Sequence, residues 1–112
     1  SDVYKRQVHT GQIVWVNLSP TAGKEQAGHR PAVVVSSTLF LQVVTDLVTV
    51  IPVTSTNRGW ANHVPVPILG PDSVAMTEQI RTISRSRITK YGPCVDEESF
   101  ATMKMWIRDF LT

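Results

Sequence analysis

The stretch Gly23-Lys24-Glu25-Gln26-Ala27-Gly28-His29-Arg30-Pro31 gathers a lysine, a glutamate, a histidine and an arginine around two glycines, then runs straight into Ala32-Val33-Val34-Val35. Pro31 biases Arg30 toward extended backbone angles. The valines behind it are β-branched residues suited to a strand, so Arg30 should stand on rigid backbone. Arginine there offers a planar, permanently charged fork that matches phosphate oxygens, which makes phosphate the first anion to consider. The same residues would also fit Arg30 simply pairing with a carboxylate such as Glu25 at a loop end. His29 beside it has the chemistry of a general base, although a loop histidine is more often just solvated.

Other chemistries lack their residues. The sequence has no Cys/His cluster at zinc spacing, no run of oxygen ligands and no glycine fingerprint for cradling phosphates, so neither a metal nor a cofactor is expected. His9, His29 and His63 lie far apart along the chain. Cys94, the one cysteine, sits between Pro93 and Val95 with no catalytic motif around it and permits no internal disulfide, in keeping with a reducing compartment.

The elements that must position Arg30 read as short strands. Gln12 to Leu18 is rich in β-formers and ends at Ser19-Pro20-Thr21. Ser19 to His29 then lacks any periodic apolar pattern, and connections of this length are more often functional than filler. Ala32 to Ser36 is a second strand, Thr38 to Val44 fits either a helical turn or a loop, and Leu47 to Thr54 is a third strand whose far end Pro52 should push to an edge or a bulge. A polar loop, Ser55 to His63, precedes Val64-Pro65-Val66-Pro67-Ile68, whose prolines cannot donate to a ladder and so mark an edge. Trp60 inside that loop is either a core anchor, the favoured reading, or a surface on which a base could stack. Gly70-Pro71-Asp72 is a turn, and strand-like segments follow at 73–77 and 79–83, interrupted at Glu78 and continuing through Arg85 to Ile88. After Pro93, Asp96 can cap a helix in which Phe100, Met103, Ile107, Phe110 and Leu111 fall at helical spacing. Short strands with one terminal amphipathic helix predict a mainly β domain bent into a small barrel.

At 112 residues the chain is long enough for one modest core, and 42% apolar with 18% charged residues is an ordinary soluble composition. No apolar run approaches a membrane span and the N-terminus lacks a signal-peptide pattern, so the expected location is the cytoplasm. Net charge is only +2, but it is unevenly placed. Residues 24–90 carry seven Lys or Arg against four acids, a net +3, whereas from Asp96 onward four acids face two bases, a net −2. A cationic body with an acidic C-terminal element is compatible with nucleic-acid binding, and equally with a solvated mixed surface.

Four stretches, Gly11-Gln12-Ile13-Val14-Trp15-Val16, Pro20 through Val34, Ile51-Pro52-Val53-Thr54 and Glu78-Gln79-Ile80-Arg81-Thr82-Ile83, closely resemble the MazF/PemK family of toxin endoribonucleases. The block from Glu25 to Pro31 is the most specific part. The resemblance runs from about Val8 to the C-terminus as a single toxin domain, with residues 1–7 a lead-in that has no counterpart. It implies an SH3-like barrel of the CcdB/PemK type with the C-terminal helix packed on it, usually a homodimer. The implied activity is metal-independent cleavage of single-stranded RNA at short motifs, by attack of the ribose 2′-hydroxyl on the adjacent phosphate to give a cyclic phosphate and a free 5′-hydroxyl.

The resemblance makes Arg30 and Thr54 the catalytic residues, Arg30 stabilising phosphoryl charge and Thr54 holding the phosphate or the 2′-hydroxyl. Glu25, Glu78 and His29 are candidates for supporting roles, Glu25 mainly by orienting Arg30. Lys24, Gln26, Ser55, Asn57, Arg58, Gln79 and Arg81 are expected along the RNA path. Some PemK-like members carry histidine, arginine and aspartate at the positions of Lys24, Met76 and Glu78; here only the carboxylate survives in kind. The implied partners are single-stranded RNA and a small antitoxin with an acidic, disordered segment, received by Arg58 and Trp60. Two rival readings are a toxin of the same fold that acts on DNA gyrase, and a module that binds RNA without cutting it.

Overall fold

The computed structural model describes residues 7–19 and 28–112. Seven strands, β1 (Gln12–Asn17), β2 (His29–Val34), β3 (Leu47–Thr54), β4 (His63–Pro65), β5 (Val74–Met76), β6 (Arg81–Ser84) and β7 (Ile88–Cys94), are joined by a short helix α1 (Thr38–Val43) and closed by a longer one, α2 (Glu97–Leu111). The strands form one antiparallel sheet in the order β4-β5-β3-β2-β1-β7, with β6 attached to β3 beside that path. The mainly β reading with a C-terminal helix therefore holds. The barrel is left open: β4 and β7 end the sheet, and among the described residues they do not pair with each other. β4 has only three residues, one of them Pro65, so it cannot extend the ladder further.

β3 explains why Pro52 is tolerated at the centre of the sheet rather than at an edge. Its first half, Leu47 to Val50, pairs with β6, and its last two residues, Val53 and Thr54, pair with β5. Pro52 falls in the gap between the two partners, where no ladder hydrogen bond is needed from its nitrogen. On its other side it lies opposite Ala32 of β2. β2 itself starts at His29, earlier than its apolar run suggests, so Arg30 stands on the strand and not at its mouth.

Alternation along the strands divides the apolar side chains into two layers. Val14, Val16, Ala32, Val34, Val48 and Val50 pack with Val8, Leu41 and Ile83 on one face, while Ile13, Val33, Ile51, Val53, Val64 and Ala75 meet Met103 of α2 on the other. Asp96 caps α2, its carboxylate accepting the Ser99 N–H at 2.9 Å. Of the five apolar residues at helical spacing, Met103 is buried and Phe100 and Ile107 are half-buried, but Phe110 and Leu111 remain exposed. α1 is held by Arg85, whose guanidinium donates to the carbonyls of Leu41, Val44 and Leu47 at 2.6 to 3.0 Å. No helix among the described residues is long and apolar enough to cross a membrane.

Candidate active site

The β2–β3 register brings Arg30 and Thr54 together. Ala32 lies opposite Pro52 and Val34 opposite Val50, and two more residues along each strand bring Arg30 level with Thr54. Strand alternation then sends both side chains to the same face. Arg30 Nη1 donates to the Val53 carbonyl at 3.4 Å, which ties the guanidinium to the end of β3. Thr54 Oγ1 accepts the N–H of Thr56 at 3.1 Å, leaving its own hydroxyl hydrogen available to a ligand. Both residues are half-buried. They line an open depression of about 510 Å³ together with Trp15, Ser55, Leu69 and Ser73.

The described residues on either side of 20–27 are drawn together. Leu18 N–H donates to the Gly28 carbonyl and Gly28 N–H to Ser19 Oγ, both at 3.0 Å. Gly28 has φ 83°, a left-handed conformation that suits glycine. Arg87 adds a clamp by donating to the carbonyls of Asn17 and Ser19 at 3.0 and 2.6 Å. Lys24, Glu25 and Gln26 lie outside the described residues. Arg85 and Arg87 are thus engaged in holding the fold, which narrows the cationic surface suggested by counting basic residues.

His29 is exposed and bonds through Nε2 to Thr89 Oγ1. Thr89 Oγ1 also lies 3.2 Å from the Trp15 carbonyl, to which it can donate. His29 does not line the depression that holds Arg30. Glu78 is engaged elsewhere. Its two oxygens lie 2.9 and 3.1 Å from Nε2 of the buried His63, and Oε1 also accepts from Asn62 at 2.8 Å. Among the described residues Nδ1 of His63 has no hydrogen-bond partner, which places the shared hydrogen on Nε2.

This network anchors the loop after Thr54. His63 N–H donates to the Trp60 carbonyl at 3.1 Å, and the two rings stack at 4.8 Å between centroids with a 39° tilt. Trp60 is 51% exposed. It therefore rests on His63 at the surface and is not the core anchor its sequence context favoured, because the loop has no apolar layer to bury it in. Asn57 Oδ1 caps its own turn by accepting from Gly59, and Ser55, Asn57 and Arg58 are exposed along the rim. Gln79 sits in the helical turn after β5. Arg81 lies opposite Val50, four residues down β3 from Thr54, or roughly 13 Å at a strand's rise.

Comparison with known proteins agrees with this architecture. The model of the PemK-like, MazF-like toxins of type II toxin-antitoxin systems matches residues 9–111. The chain belongs to this family. It is 38% identical over 90 residues to the endoribonuclease toxin MazF of Escherichia coli (strain K12), covering 79% of this chain and 80% of that one. It is 31% identical over 96 residues to endoribonuclease EndoA of Bacillus subtilis (strain 168), covering 81% and 83%. The crystal structure of MazF (Form-I) from Deinococcus radiodurans superposes with a TM-score of 0.83 at 32% identity, over 93% of this chain and 96% of that chain. A MazE-MazF crystal structure (Form-II) from the same organism gives 0.75 at 32% identity, over 93% and 95%.

In this PemK-like, MazF-like toxin the fold gathers Arg30, Thr54 and Ser55 into one depression and leaves Gln79, Arg81, His29 and Glu78 outside it. Trp15, Leu69 and Ser73 line the same space, and reading the sequence missed them. Trp15 looked like one more β-former in its strand. Only the pairing of Trp15 with Pro31, the residue after Arg30, brings it to the border of this depression. No cluster of three or more metal-ligating side chains occurs among the described residues.

Proposed function

We propose that this toxin is a sequence-specific endoribonuclease that cleaves single-stranded RNA in the cytoplasm, with Arg30 and Thr54 at the reacting phosphate. The observation that carries the reading is their placement on facing strand ends, beside an open depression large enough for a nucleotide. In the reaction the ribose 2′-oxygen bonds to phosphorus and the bond to the 5′-oxygen breaks. The products are a cyclic phosphate and a 5′-hydroxyl, and the proton lost by the 2′-oxygen is balanced by one gained at the 5′-oxygen. The nucleophile thus comes from the substrate, and the protein's task is geometry and charge. Arg30 stabilises the negative charge that builds on the phosphoryl oxygens, and the Thr54 hydroxyl donates to one of them. His63, Asn62 and Glu78 act as a brace for the loop that follows Thr54.

The exposed rim with Arg58 and Trp60 suits an acidic antitoxin segment that folds on binding, with Trp60 as its aromatic anchor. A homodimer is supported by an apolar groove of about 380 Å³ between α1, β3 and α2, lined by Val35, Phe40, Ile80, Ile107 and Leu111.

Incubation with a long single-stranded RNA in EDTA, followed by sequencing of the ends, tests the reading. The expected result is cleavage at a short recurring motif with 5′-hydroxyl ends, and no cleavage of the same sequence in duplex, where the bases cannot splay. Intact RNA with folded protein would reject it, and gyrase inhibition or RNA binding without cleavage would identify the rival readings.

A further inference from the structure

Trp15 carries more than a packing role. It stands on β1 opposite Pro31 of β2 on one side and Lys90 of β7 on the other. Trp15 lines the depression that holds Arg30 and Thr54 and is half-buried. Lys90 Nζ lies 4.8 Å from the ring centroid, a cation against the electron-rich face. Gly92 fixes the ring's position from behind. A Cβ at residue 92 would come within 2.8 Å of Trp15 Cζ3 and 3.1 Å of the Ile13 carbonyl, so the indole occupies space that any other residue there would fill. The Trp15 carbonyl in turn accepts from Thr89. A large aromatic ring thus borders the same depression as Arg30, with a lysine over it.

We propose that Trp15 is the stacking platform for the nucleobase next to the scissile phosphate, and so sets which nucleotide lies across Arg30. The inference rests on the endoribonuclease reading above and names the substrate subsite within it. Every base has a π-face, so stacking on indole supplies binding without hydrogen-bond selection. A base seated on Trp15 leaves its flanking phosphates for Arg30, which lines the same depression, and for Lys90, whose ammonium lies by the ring. Trp15 therefore acts chiefly on binding and register, and Arg30 on the chemical step.

The test uses the full chain and oligonucleotides that span its mapped cleavage site. One set has a single abasic nucleotide on either side of the cut. A second set carries 2′-deoxyribose at the attacking nucleotide, so that binding is read without cleavage. For the wild-type protein, one of the two abasic positions is expected to raise KM, and Kd for the deoxy analogue, by about tenfold or more. Trp15→Leu, which keeps apolar packing against Gly92, should weaken intact RNA to a similar extent and reduce the abasic penalty to about twofold or less, while kcat falls much less than KM rises. Trp15→Phe, which keeps an aromatic face, should recover most of the affinity. An abasic penalty of equal size in wild type and Trp15→Leu would overturn the proposal, as would wild-type affinity in Trp15→Leu. If Trp15→Leu fails to fold, the absence of any abasic penalty in the wild type overturns it by itself. Failure of the wild type to cut RNA would instead overturn the endoribonuclease reading on which the proposal rests.

Discussion

A guanidinium level with a hydroxyl at the ends of two paired strands would offer a phosphate one fixed cation and one hydrogen-bond donor. Because Arg30 is tied to the Val53 carbonyl, its charge is already in place before substrate arrives. Arg30→Ala is therefore expected to cut kcat/KM by about a hundredfold or more while the thermal unfolding transition persists. Arg30→Lys should also be poor, since a point charge does not replace the fork. Wild-type cleavage rates in either variant would remove Arg30 from the site. Thr54 differs in kind, because its hydroxyl already accepts from the Thr56 backbone. Thr54→Ser should retain most of the activity, and Thr54→Val should lose on the order of tenfold in kcat, the worth of roughly one neutral hydrogen bond. Equal rates for the two would show that the hydroxyl makes no contribution.

At the level of elements, the site depends on how each strand end is tied down. Arg85 donates to three carbonyls at the end of α1 and the start of β3. Arg85→Ala should destabilise the domain by roughly 1.5–3 kcal/mol in denaturant unfolding and leave the salt dependence of RNA binding unchanged. A shallower salt slope with unaltered stability would show that Arg85 belongs to the RNA surface instead. The cap of α2 makes a pH prediction. The Ser99 N–H, donating to the Asp96 carboxylate, holds that carboxyl below its ordinary value of 3.8. A lowered folded-state value means that the ionised form favours folding, so the contribution is complete above the ordinary value and disappears as pH falls through the lower one. Asp96→Ala should accordingly unfold at a lower temperature than wild type at neutral pH, and the gap should narrow only in strong acid. A gap that stays constant as pH falls from neutral to well below 3.8 would assign the effect to something other than the charged cap.

On the scale of the whole molecule, the distribution of charge governs partners. The exposed cation of the Ser55–Trp60 rim is Arg58, next to Trp60, and the depression behind it holds Arg30. An acidic antitoxin segment and RNA would compete for this surface. Binding of such a peptide should displace RNA and should weaken about tenfold or more between 50 and 500 mM salt, as expected for several ion pairs near the protein surface. An inhibitor that leaves RNA bound, or one indifferent to ionic strength, would place the antitoxin elsewhere. Arg58→Glu, a charge reversal at an exposed position, should lower peptide affinity with little effect on folding.

Much of this protein is decided locally. The β-branched runs around Val14, Val33 and Val50, the capping Asp96 before an apolar helical pattern, and the proline-pinned Arg30 depend on residues close in the chain, and their elements lie within a few positions of where sequence periodicity puts them. Thr38–Val43 stays ambiguous in sequence because six residues carry too little periodic signal, and tertiary bonds from Arg85 decide it. The partners of each strand are a different matter. That Arg30 comes level with Thr54, that Trp15 borders the same depression, and that Glu78 turns away to His63 all follow from register between segments tens of residues apart. A shift of one residue in pairing would send each of those side chains to the other face, and register is fixed by packing both layers of the core at once. Sequence therefore supplied the residues able to do the chemistry, and the tertiary structure decided which of them share a site.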